Sequence, residues 1–189
     1  MNKNYVFLAE GFEEIEALTP VDVLRRAGLD VKMISLTDKL EVRGAHGVLV
    51  TADARFEYVD FSDANWLILP GGLPGAQNLY DFEPLRKLLL EHAAQKKNIA
   101  AICAAPGLVL GQLGILDDKY ATCYPGFEKY FPKANYRKEA VVSLNHIITG
   151  NGPASALKFA LAIVAADMGL AAADDISNAM MNGKLIVNE

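Results

Sequence analysis

The residues best suited to chemistry gather around Cys103. The run Asn98-Ile-Ala-Ala-Ile-Cys-Ala-Ala-Pro-Gly-Leu-Val-Leu110 passes from small and branched residues into a cysteine, after which Ala104-Ala105-Pro106 opens a helical pattern. Small neighbours suit a nucleophile lifted onto a sharp strand-to-helix turn, where there is no room for bulk beside it. A helix starting directly afterwards aims unpaired N–H groups and the positive end of its dipole at the sulfur. That placement is expected to lower the thiol pKa and favour the thiolate, the reactive form. The bland alternative is a buried structural cysteine, a common occupant of apolar strands.

Two further segments strengthen the chemical reading. Pro70-Gly71-Gly72 follows the apolar run Trp66-Leu-Ile-Leu69, and glycines after a strand let backbone N–H groups face an oxyanion. Gly11-Phe-Glu-Glu-Ile-Glu16 follows the first apolar run, so one of its carboxylates can overhang the same crevice. An ordinary turn and helix N-terminal charge complementarity are the competing explanations. Glu13 and Glu14 suffice for the dipole, whereas Glu16, between Ile15 and Ala17, lies inside the helix proper. Of the three histidines, His92 falls within a helical pattern and His146 beside Asn145 in a hairpin turn, so both read as structural. His46, in Gly44-Ala-His-Gly47, is the one placed near the crevice. No HExxH or paired CxxC pattern occurs, so no zinc site is expected. Gly71-Gly72-Leu-Pro-Gly75 lacks both a P-loop lysine and GxGxxG spacing, so no nucleotide cofactor is expected.

Short apolar runs alternate with longer helical patterns, the signature of βαβ units around a mostly parallel sheet. Strands are expected at 5–9, 31–36, 66–69 and 98–103, with a hairpin over 141–149 turning near Asn145. Helices are expected over 13–27, 83–95, 106–113 and 153–168. The segment 41–51 reads as an irregular loop entering a short strand. In such a sheet the carboxyl ends of the strands form ligand crevices, and Cys103, Gly72 and the acidic segment all follow strands. No linker, repeat or low-complexity stretch divides the 189 residues, so 1–189 is read as one domain.

An apolar fraction of 52% fits a folded globular chain, and a formal net charge of −5 argues against a generic nucleic-acid surface. No run is long enough to span a membrane, and the start lacks the pattern of a secretory signal. A cytoplasmic setting is expected, in which Cys103 and Cys123 are free thiols.

Gly11-Phe-Glu-Glu-Ile-Glu16, Thr19-Pro-Val-Asp-Val-Leu-Arg-Arg-Ala-Gly28, Leu69-Pro-Gly-Gly-Leu-Pro-Gly-Ala-Gln-Asn-Leu79 and Ala100-Ala-Ile-Cys-Ala-Ala-Pro106 together resemble the ThiJ/PfpI superfamily, in its DJ-one branch. The resemblance covers nearly the whole chain, in order. It implies a flavodoxin-like three-layer sandwich and a homodimer. It matches Cys103 to the reactive elbow cysteine and Glu16 to the carboxyl that hydrogen-bonds it. Gly72 and Ala104 match the positions whose N–H groups face the substrate oxygen.

Departures from the family pattern sort the activities. The peptidase-like branch carries a histidine directly after the elbow cysteine, where this chain has Ala104, so peptidase or amidase activity is the least favoured enzyme reading. The deglycase-like branch brings a histidine from a later loop, where this chain has Tyr124, and a phenol is a poor proton shuttle near neutral pH. Asn151 stands where some relatives have an anion-binding arginine. The leading expectation is cofactor-free chemistry on a small carbonyl substrate, a 2-oxoaldehyde, in the manner of a glyoxalase III or deglycase. The alternatives are an oxidation sensor or redox-regulated chaperone using the same cysteine, and a binding scaffold with a vestigial one.

Overall fold

The computed structural model describes residues 3–182, so the ends of the 1–189 span expected to be one domain lie outside the described residues. β1 (Lys3–Leu8) is buried from Asn4 onward, as an unbroken apolar run demands when both sheet faces are covered. α1 (Glu14–Arg26) follows it, with Glu14 and Glu16 in the first turn and Arg25 and Arg26 in the last, complementing both ends of the helix dipole. Then come β2 (Val31–Ser35), β3 (Glu41–Arg43), β4 (Leu49–Thr51), β5 (Ala54–Arg55) and β6 (Ala64–Leu69). α2 (Gly75–Asp81) and α3 (Glu83–Ala94) lead to β7 (Asn98–Ile102). After the short β8 (Tyr120–Ala121) and β9 (Asn135–Tyr136), β10 (Val141–Leu144) and β11 (Ile147–Gly150) form a hairpin, and α4 (Ala156–Met168) and α5 (Leu170–Ala179) close the chain.

Seven strands form the central sheet in the order β10-β11-β7-β6-β1-β2-β5. Every pairing in it is parallel except β10 with β11. α1 packs on α4 and α4 on α5, while α2 packs on α3 and on the turn after β7. The result is the expected flavodoxin-like α/β sandwich. β7, β6 and β1 are neighbours, so Cys103, Gly71 and the acidic start of α1 emerge side by side from one end of the sheet. Trp66, the chain's single tryptophan, is buried on β6, and its indole N–H has no hydrogen-bond partner among the described residues.

Several local expectations need correction. The short strand expected at the end of 41–51 is β4, but the start of the segment is a strand rather than a loop: β3 and β4 pair antiparallel, from Glu41 opposite Thr51 to Arg43 opposite Leu49. The run after Cys103 is a six-residue π-helical turn, Pro106–Gly111, rather than a helix reaching 113; such turns absorb an extra residue in the ladder. Pro153–Ser155 forms a 3-10 turn ahead of α4. Neither α2 nor α5 is among the elements expected from periodicity, because each is short. At the β10–β11 turn, Asn145 has φ 53, the left-handed conformation that a two-residue hairpin loop requires.

Candidate active site

Cys103 sits immediately after β7 with φ 65, a left-handed conformation unusual for a residue with a side chain. Such a conformation costs about 1–3 kcal/mol and persists only where the surroundings enforce it. Here the Cys103 N–H donates to Gly150 O at 2.9 Å, and Cys103 O accepts the Tyr124 N–H at 2.8 Å. Ala104 and Ala105, both buried, leave the turn uncrowded. Gly71 presses against it from β6: a Cβ there would lie 2.6 Å from Cys103 Cβ and 2.7 Å from Glu16 Oε2.

Glu16 comes from the first turn of α1 and is fully buried. Its Oε2 accepts the Gly71 N–H at 2.9 Å, while Oε1 has no hydrogen-bond partner among the described residues. The Cys103 thiol and this carboxyl interact, each shifting the other's proton affinity. Burial raises the Glu16 pKa to about 7, against the opposing effects of the Cys103 and Gly71 hydrogen bonds. Burial, followed by the charge of Glu16 and the hydrogen bond to it, pushes the Cys103 thiol up to about 12. Backbone N–H groups of Gly72 and Ala104 pull the other way without prevailing. Burial and the neighbouring carboxyl thus work against the lowering expected of a following helix. The helix is a short π turn, and Cys103 is only 9% exposed. From about pH 7 upward the two groups share one proton and one negative charge, and they titrate as a coupled pair.

Cys103 opens into a cavity of about 580 Å³ that Gly72, Tyr124, His46, Glu13 and Glu14 also line, with Ile15, Val48 and Pro153 supplying apolar wall. Tyr124 is half exposed and meets Phe127 edge-on. His46 is carried to the cavity by the β3–β4 turn. Its Nδ1 lies 2.9 Å from Glu14 Oε2 and 3.4 Å from Glu13 Oε2, and the Glu14 bond, then the two charges, raise its pKa. Burial works against the charge of Glu14, but hydrogen bonds from His46 and backbone N–H groups outweigh it and hold this carboxyl below its ordinary range. Asn151 is not among the lining residues; its Oδ1 accepts the Ser155 hydroxyl at 2.6 Å. His92 is buried in α3, near Asn65 O, and burial lowers its pKa. Cys123 is buried, and burial raises its thiol to about 12. Sequence reasoning missed Glu13 and Glu14 as cavity residues, because their position at a helix start already had an electrostatic explanation.

Fold and geometry together define a three-layer α/β protein with a cysteine on a strained elbow and a buried carboxyl from the first helix beside it. Residues 2–166 match the model of the DJ-1/PfpI family, and the chain belongs to that family. It is 37% identical over 168 residues to Parkinson disease protein 7 homolog of Danio rerio, covering 87% of this chain and 88% of that one. It is 34% identical over 175 residues to Protein DJ-1 homolog B of Arabidopsis thaliana, covering 92% of this chain; the chain spans 40% of that relative's length. Among solved structures, oxidized DJ-1 of Toxoplasma gondii matches with a TM-score of 0.92 at 38% identity, covering 96% of this chain and 98% of that one.

Proposed function

We propose that the chain converts small 2-oxoaldehydes such as methylglyoxal into 2-hydroxy acids, without a cofactor and without glutathione. The observation that carries this reading is Cys103 on a strained elbow, opening with Gly72 into the cavity with the buried Glu16 carboxyl behind it, while the Gly72 and Ala104 N–H groups favour a charged sulfur. As Sγ adds to the aldehyde carbon, its proton passes to Glu16, and the new alkoxide takes over the Gly72 and Ala104 N–H bonds. A proton then leaves the former aldehyde carbon and one returns to its neighbour, giving the thioester of a 2-hydroxy acid. Water cleaves the thioester and restores the thiol. One aldehyde and one water give one acid, with no net electron transfer. The same addition to aldehyde-modified amines would act as a deglycase.

The test is lactate formation from methylglyoxal in the absence of glutathione, by the wild type and by Cys103→Ser. Lactate from the wild type alone supports the reading, and equal rates from the two proteins overturn it. Absence of lactate from both also ends it. Peptidase chemistry is disfavoured because Ala104 offers no imidazole beside the sulfur.

A second reading, an oxidation sensor or redox-regulated chaperone, is favoured by the same two N–H groups, which can hold an oxidised sulfur anion. A relative from Toxoplasma gondii has been solved oxidized. Mild peroxide is then expected to modify Cys103 before the fully buried Cys123, as read by peptide mass. The two unpaired thiols suit a reducing, cytoplasmic setting, and among the described residues no helix is long and apolar enough to cross a membrane. A homodimer is part of this reading: Ile15 and Val48 are exposed apolar residues of the cavity wall, and Leu49, next in the chain to Val48, is exposed as well. Light scattering that finds only monomer at micromolar concentration removes that element.

A further inference from the structure

A second cluster of chemical groups stands on the cavity wall, and the proposed aldehyde reaction leaves it without a task. Glu14 is fixed by the β3–β4 turn: its Oε1 accepts the backbone N–H of His46 at 2.8 Å and of Val48 at 3.3 Å. That leaves Oε2 presented to His46 Nδ1 at 2.9 Å. Glu13 converges on the same nitrogen from the N-cap position of α1, at 3.4 Å. Its side chain makes no capping hydrogen bond. Its side chain is only 12% exposed, and among the described residues its carboxylate meets just the His46 nitrogen that Glu14 already engages. An N-cap side chain ordinarily turns back to bond the helix N–H groups. This one is turned to the cavity instead.

The charge arrangement is unbalanced. Imidazole Nδ1 carries at most one hydrogen, which can satisfy one carboxylate. Here two largely buried carboxylates meet it, and the second is left with an uncompensated negative charge. A divalent cation at the point of convergence satisfies all three groups at once. The three donor atoms lie within 4.8 Å of one another, and ligands of a tetrahedral Zn²⁺ stand about 3.4 Å apart. Imidazole nitrogen with two carboxylate oxygens is a donor set suited to Zn²⁺ or Cu²⁺ rather than to Ca²⁺ or Mg²⁺.

We propose that Glu13, Glu14 and His46 form a binding site for one divalent first-row transition ion on the wall of the cavity that Cys103 faces. Binding displaces the Nδ1 proton to solvent, and the fourth position of the ion opens to the cavity. The backbone bonds to Glu14 Oε1 act as the supporting shell that fixes its carboxylate.

The test is calorimetric titration of Zn²⁺ into the full chain carrying Cys103→Ser and Cys123→Ser, so that no thiol contributes. One equivalent is expected to bind with proton release, and adding His46→Gln or Glu13→Gln is expected to weaken it at least about tenfold. His46 has a largely exposed side chain, so His46→Gln should leave the fold intact, which circular dichroism checks. With Cu²⁺ as the probe, electron paramagnetic resonance should display coupling to one imidazole nitrogen, lost in His46→Gln. Absence of saturable binding by the thiol-free protein overturns the proposal, as does binding that His46→Gln leaves within about twofold.

Discussion

Glu16→Gln is expected to stabilise the fold by about 3 kcal/mol at about pH 8, while speeding alkylation of Cys103 there. Both effects come from one buried carboxyl. In the wild type, the Glu16 charge and the bond to it help burial hold the thiol up, and Gln carries no charge. Burial alone is then left to raise the thiol, so the inflection of the alkylation profile should move to lower pH than in the wild type. The stability gain follows from the raised Glu16 pKa of about 7, against 4.5 for the ordinary carboxyl. Below about pH 4.5 folded and unfolded chains are both protonated here, and the substitution changes little. Between 4.5 and 7 the unfolded chain has released its proton while the folded one still holds it, so wild-type stability falls with rising pH. Above about 7 the full penalty remains. Gln keeps an oxygen for the Gly71 N–H without the charge. Urea unfolding at about pH 4.5 and about pH 8 checks the sign, and equal stability of the two proteins at both would refute the argument.

Gly72→Ala is expected to destabilise the fold by about 4 kcal/mol or more. Gly72 has φ +87, and a Cβ there would overlap Glu13 N, lie 2.6 Å from Gly11 O and 2.8 Å from Phe12 C. These are backbone atoms of the segment linking β1 to α1, so no side-chain rotation relieves the collision. The start of α1 would have to move, carrying Glu16 with it. Gly28→Ala is the matched control: its φ is +78, but nothing lies within 4 Å of the added atom. There the cost should be only the left-handed strain, about 1–2 kcal/mol. Equal losses in thermal denaturation would show that conformation, not close approach, decides both.

The parts of this molecule that follow local rules were readable before any coordinates. Unbroken apolar runs marked β1, β6 and β7, and helical spacing marked α1, α3 and α4, because burial on two faces and on one face leave different periods. The positions of Cys103 and Glu16 came partly from that pattern and partly from family likeness. What sequence alone did not disclose depends on neighbours distant in the chain. His46 meets Glu13 and Glu14 only because β3 and β4 pair and fold their turn back over the start of α1. The direction of the Cys103 shift depended on how deeply the sulfur is buried and on the carboxyl beside it. A strand–cysteine–helix pattern carries no measure of that depth. The π turn after Ala105 differs from an α-helix by one residue per turn, below what apolar spacing over six residues distinguishes.

Trp66 makes the fold its own optical reporter. As the single tryptophan, buried on β6 in the middle of the sheet, it should emit at short wavelength while the sheet is intact and shift red when the sheet opens. The β3–β4 turn and the cavity rim can open without disturbing it. Emission from Trp66 and labelling of Cys103, followed together in one denaturant series, therefore separate global unfolding from local opening of the site. If labelling advances well before the colour changes, the rim is a lower-energy cooperative unit than the sheet that carries it.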